Sequence, residues 1–99
     1  DGGNVNFTGG GLDIDTTTAT GFSATGGGTI TVTGTGNSIT STTGTAMNIQ
    51  NTTIGASNVT FQSIAANGGS NGIVLNTTGS TGGLTVTGSG STDGIKGSS

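Results

Sequence analysis

Apolar residues in this chain recur in pairs that flank a single, mostly polar residue, and longer runs are rare. Leu12 and Ile14 flank Asp13, Phe22 and Ala24 flank Ser23, Ile30 and Val32 flank Thr31, and Met47 and Ile49 flank Asn48. Val59 and Phe61 flank Thr60, Leu84 and Val86 flank Thr85, and Ile73 and Leu75 sit on either side of Val74. Ile39 stands alone between Ser38 and Thr40. A period of two puts both apolar members of a pair on one face of a β-strand. Eight short strands are predicted on this basis, with Ile64 and Ile95 anchoring further short strands or turns. Glycine, threonine, serine and asparagine fill the intervals, and these are the residues that turns use.

The strands recur at a fixed distance. Met47 to Ile73 is 26 positions, Val59 to Leu84 is 25 and Ile39 to Ile64 is 25. Leu12 to Met47 is 35, and the excess is assigned to an insertion around residues 26–35 that bulges from a corner or forms an extra hairpin. Self-similarity at such a period is the mark of a solenoid, which buries apolar faces by stacking coils. Three strands and three turns per coil predict a parallel β-helix of triangular or L-shaped section, with about three coils of roughly 25 residues and one longer coil. An antiparallel meander would not bring equivalent sequence back at every third strand.

In that register Ile73 and Leu75 stack over Met47 and Ile49, and those over Leu12 and Ile14. Leu84 and Val86 stack over Val59 and Phe61, with Phe22 and Ala24 beneath. The corner that follows the first of these columns carries Asp15, Asn51 and Asn76, each followed by two threonines. Asparagine or aspartate there bonds local backbone groups, and like residues stacked coil on coil predict a ladder.

Composition removes the competing classes. Glycine and threonine contribute 23 residues each, proline and cysteine are absent, and charge is limited to four aspartates and Lys96. Disorder goes with high net charge and few β-branched residues, whereas this chain has a net charge of -3 and abundant Thr, Ile and Val. Collagen requires proline and a strict glycine period of three. Glycine and β-branched residues disfavour helix in almost every window. One lysine and no arginine cannot neutralise a nucleic-acid backbone, and no apolar run reaches the length of a membrane span. No cofactor-binding motif occurs. The polar, Gly- and Thr-rich make-up suggests an exported protein, placed outside the cell or on its surface.

The stretches Gly72-Ile73-Val74-Leu75-Asn76-Thr77-Thr78-Gly79 and Gly83-Leu84-Thr85-Val86-Thr87-Gly88 resemble the right-handed parallel β-helix repeats of large bacterial surface and secreted proteins. The run from Gly44 through Met47, Ile49 and Asn51 to Thr53 is similar, and the likeness covers roughly residues 10–97. It implies a right-handed coil and a passive role, such as an adhesin or autotransporter-like stalk or an extracellular fibre segment. Related β-helices include polysaccharide lyases and phage tailspikes.

The whole of 1–99 is read as one solenoid segment. Neither end carries an obvious polar cap, and open β edges invite pairing with another chain. The expected partner is therefore a covalent continuation of the solenoid or a second copy stacked end to end. Carboxylate chemistry on a β-helix needs a cluster on one outer face. Asp13 and Asp15 are near enough to touch a calcium ion, but with Asn48, Val74, Gln50, Asn51 and Asn76 as expected neighbours they gain at most neutral ligands. An enzyme is not expected. Outward threonines (Thr85 and Thr87, Thr31 and Thr33, with Ser23 and Thr25) make a carbohydrate- or ice-binding surface the alternative. Ordinary strand preference also explains them. Asn6, Asn51, Asn58 and Asn76 each begin an Asn-x-Ser/Thr sequence, and a glycan at Asn51 or Asn76 would disturb the predicted ladder.

Overall fold

The computed structural model describes residues 3–88 and 95–98. The chain winds as a right-handed parallel β-solenoid of about three coils, each near 25 residues. The first coil contains β1 (Asn4–Phe7), β2 (Asp13–Thr16) and β3 (Phe22–Thr25). The second contains β4 (Thr29–Val32), β5 (Ser38–Ser41) and β6 (Met47–Gln50). The third contains β7 (Thr53–Phe61), β8 (Ser63–Asn67) and β9 (Ile73–Asn76), and β10 (Leu84–Val86) and β11 (Ile95–Ser98) open a fourth. Each strand pairs in parallel with its equivalent one coil away. The result is three sheets, ordered β1-β4-β7-β10, β2-β5-β8-β11 and β3-β6-β9.

The coil length follows the sequence period, but the columns differ from expectation. Met47 and Ile49 lie over Phe22 and Ala24, not over Leu12 and Ile14, and carry Ile73 and Leu75 above them. Ile14 instead begins a column of isoleucines through Ile39, Ile64 and Ile95. Leu84 and Val86 pair with Val59 and Phe61 as expected, yet the residue beneath Val59 is Val32, above Phe7, and not a residue of β3. Residues 26–35 hold no insertion, because Thr29–Val32 is an ordinary strand of the second coil. The 35-residue interval arose from matching Leu12 with Met47, whose true partner Phe22 lies 25 positions back. Alternating triplets look alike on all three sheets, so periodicity alone could not say which strand began the coil.

The one irregularity lies in β7. Ile30 pairs with Ile54 and Val32 with Val59, so one residue separates the pair in β4 and four, 55–58, separate it in β7. This β-bulge adds length that the next corner removes: only Gln62 separates β7 from β8, whereas residues 33–37 separate β4 from β5. Ser38 and Ser63 then resume a 25-residue offset. Bulges bend a strand locally without ending its pairing.

Inward side chains form the core. Val32, Ile39, Met47, Ile49, Ile54, Val59 and Phe61 are fully buried, each contributing about 1.5–3 kcal/mol relative to an exposed position. Phe22 bridges sheets, its ring edge-on to Phe7 at 6.1 Å and to Phe61 at 5.7 Å. Among the described residues the exposed large apolar side chains lie on edge strands: Val5 and Phe7 on β1 and Leu75 on β9. Leu75 is inward in register but 43% exposed, because β9 is the edge of its sheet.

Candidate functional site

The features with functional content are two faces and two ends. On the outer face of the second sheet, Asp13 and Asp15 point away from Ile14 on β2. Asp13 lies beside Ser38, whose hydroxyl donates to Asp13 Oδ1 at 3.1 Å, and Asp15 lies beside Thr40. The next coil adds Ser63 and Ala65. The neighbours expected from the sequence are elsewhere: Asn48, Gln50, Val74 and Asn76 belong to the third sheet, in register with Ser23 and Thr25. Asp13 therefore faces two serines and Asp15 faces Thr40 and then Ala65, and among the described residues no three His, Cys, Asp or Glu side chains gather around a common point. Asp1 and Asp93 lie outside the described residues.

The predicted ladder of Asp15, Asn51 and Asn76 does not form. Asp15 is on the second sheet, Asn76 pairs with Gln50 on the third, and Asn51 follows Gln50 at the corner. What stacks there is a backbone conformation. Gly26, Asn51 and Thr77 occupy equivalent positions after Thr25, Gln50 and Asn76, and all three have positive φ, at 89°, 54° and 59°. Glycine accepts that conformation freely and asparagine tolerates it, whereas a β-branched threonine is strained.

The asparagine that does hold coils together is Asn37, a residue the apolar pattern gave no reason to select. It is 1% exposed. Its Oδ1 accepts from Leu12 N at 2.9 Å in the coil below, and its Nδ2 donates to Thr33 O at 3.3 Å and Thr60 O at 3.1 Å. One side chain thus ties three coils where β7 and β4 take different paths to the corner. Buried polar groups require such partners, and among the described residues none is left without one. Its only sequence signal is its place just before Ser38, 25 positions after Leu12.

Outward threonines are arranged better than the sequence suggested in one respect and worse in another. Thr29 pairs with Thr53 and Thr60 with Thr85 on the first sheet, so Thr31 and Thr33 belong to a regular coil. Ser23 and Thr25, however, lie on the third sheet, and the bulge at 55–58 breaks the rows of the first. Of the Asn-x-Thr sites, Asn6, Asn51 and Asn76 are exposed, while Asn58 Oδ1 accepts from Gly83 N at 3.0 Å.

The ends are open. At the first coil a depression of about 420 Å³ is lined by Val5, Phe7, Phe22, Ala24 and Ile30, the interior columns of the solenoid seen end-on. A second, of about 440 Å³, lies where the short third-coil corner leaves a notch, between Gly34–Gly36, Gln62 and Thr87. No helix of the described residues is long and apolar enough to cross a membrane. No family model matches the chain, and neither a curated protein nor a solved structure does.

Proposed function

We propose that this chain is a structural, non-catalytic solenoid segment of an extracellular or cell-surface fibre or adhesin-like stalk of bacterial origin. One observation carries the reading: the three sheets and their apolar columns run to both ends of the described structure with the same spacing as inside it. Strength along the axis then comes from parallel backbone pairing between coils, with stacked Ile14-Ile39-Ile64 and Phe22-Met47-Ile73 columns excluding water. Sparse charge fits this role, since the surface neither steers a charged substrate nor repels a neighbour strongly. A lyase- or hydrolase-type β-helix would draw on several carboxylates on one face, and the Asp13/Asp15 face supplies hydroxyls as neighbours. The broken register of the threonine rows weighs against the competing ice- or carbohydrate-binding reading.

Electron microscopy of the native material, reconstructed to side-chain detail, tests the proposal. A filament or long solenoid containing this chain in coil-to-coil continuity is the expected result. Discrete short particles that cleave or bind a polysaccharide would overturn it.

A further inference from the structure

The two ends of the solenoid differ in a way that selects one mode of contact. Among the described residues the edges left unpaired are β1, β2 and β3 below and β9, β10 and β11 above, one in each sheet. Along the chain, strands visit the first, second and third sheets in turn, and β11 belongs to the second. The next strand of an unbroken solenoid therefore pairs with β9 in the third sheet.

We infer that a second copy of this chain seats on the upper end rotated by one third of a turn, its β1 on β9, its β2 on β10 and its β3 on β11. This rests on the structural reading above and specifies its partner and register. The exposed large apolar residues support it directly. Val5 and Phe7, 50% and 39% exposed, are two positions apart on β1, and Ile73 and Leu75, the latter 43% exposed, are two positions apart on β9. Parallel pairing with the inward faces aligned puts Val5 on Ile73 and Phe7 on Leu75. The contact repeats the one already made within the chain, where the same two residues of β1 lie beside Ile30 and Val32, and those of β9 beside Met47 and Ile49. The two edges are both uncapped by charge: neither β1 nor β9 contains a charged residue, and edge strands that avoid association usually carry one.

The rival arrangement stacks copies without rotation, β1 on β10 and β2 on β11. It continues the register column of Asp15, Thr40, Ala65 and Lys96 into the next Asp15. It also leaves β9 facing a gap one strand wide, with its backbone groups unpaired and Leu75 uncovered. An exposed ion pair contributes little, whereas unpaired backbone and uncovered apolar surface are costly. The rotated contact is therefore favoured.

The chain contains no cysteine, so introduced pairs read the register cleanly. Asn6 and Val74 are the outward residues that the rotated contact places side by side, about 4.8 Å apart and so within disulfide reach. Unrotated stacking continues the column Phe7-Val32-Val59-Leu84 and places Thr8 beside Thr85 instead. The full chain carrying Asn6→Cys and Val74→Cys, oxidised under non-denaturing conditions, should give a ladder of covalent multimers on a denaturing gel. The chain carrying Thr8→Cys and Thr85→Cys should give at most dimers. A ladder from the second pair, or from neither, overturns the inference. Microscopy separates the two failures: filaments of the unaltered chain without a ladder from the first pair leave the structural reading standing and discard only this contact. As a check independent of cysteine, Leu75→Lys should abolish concentration-dependent association in sedimentation while Thr40→Lys, outward on the middle coil, preserves it. Equal association in both variants also overturns the inference, and circular dichroism of each confirms that the fold is retained.

Discussion

Thr77 is the residue whose backbone and side chain are most at odds. At φ 59° it occupies the corner conformation that Asn51 and Gly26 adopt one and two coils earlier. A non-glycine residue held in that region costs of order 1–3 kcal/mol, and Thr77 is exposed, with its hydroxyl donating only to the adjacent Asn76 Oδ1 at 2.9 Å. Thr77→Gly or Thr77→Asn should therefore raise stability by about 1 kcal/mol, seen as a higher urea midpoint with an unchanged slope. Asn37 is the opposite case. Asn37→Ala removes the bonds to the part-buried amide of Leu12 and to two carbonyls, and should cost about 2–3 kcal/mol. Equilibrium unfolding by circular dichroism checks both, and a neutral Asn37→Ala would show that water replaces all three bonds.

Corners and strands set the limits at the scale of elements. The corner between β2 and β3 lies directly beneath that between β5 and β6, joined by bonds such as Thr43 N to Thr17 O at 2.7 Å and Gly21 N to Thr45 O at 2.9 Å. Below it, Thr16 Oγ1 and Ser41 Oγ both donate to Ala19 O, at 2.9 and 3.1 Å. A Cβ at Gly44 would overlap the carbonyl oxygens of Ala19 and of Thr18, the latter at 2.6 Å. Gly44→Ala should destabilise by about 1–3 kcal/mol, whereas Gly83→Ala, with nothing within 4 Å of its Cβ, should change stability little. Position along a column matters as much as residue type. Ile49 and Leu75 are register partners, yet Ile49 is fully buried and Leu75 is 43% exposed. In the isolated chain Ile49→Ala should cost about 2–5 kcal/mol and Leu75→Ala well under half as much. Thermal melts at low concentration measure the difference, and equal costs would mean that Leu75 is already covered.

The described structure is a stack of coils whose outermost strands have a partner on one side only. Its outer faces carry hydroxyls and amides, its interior columns are apolar, and the large hydrophobics exposed among the described residues are Val5, Phe7 and Leu75. A body of 32 × 28 × 19 Å with about four strand levels is shortest along its axis, since four levels span about 14 Å between outer strands. So short a stack leaves a large share of its core near an open end. Aligned filaments of coil-stacked chains should diffract on the meridian near about 4.8 Å without the sharp equatorial reflection near about 10 Å that face-to-face sheets produce in amyloid. A strong reflection of the second kind would mean that the edges had assembled as a steric zipper and not as a continued solenoid.

The sequence by itself determined the class of fold, because a two-residue alternation with glycine- and threonine-rich corners and a 25-residue recurrence can bury its apolar residues only by stacking. Inward Ile14, Met47, Ile49, Val59, Phe61, Leu84 and Val86 were all legible from their neighbours. The assignment of strands to sheets was not. Leu12-Asp13-Ile14 and Phe22-Ser23-Ala24 carry the same local signal, and only the closed path of the chain decides that Met47 rests on Phe22 and Ile39 on Ile14. β1 and the first part of β7 had no place in the predicted coils: Val5 and Phe7 precede the coil taken to begin at Leu12, and Ile54 lies out of phase with Val59 until pairing with Ile30 and Val32 places both inward. Tertiary structure likewise chose Asn37 over Asn51 and Asn76 as the asparagine that binds coils. All three have the same side chain, and what separates them is whether the backbone around them turns it toward unpaired groups inside or toward water.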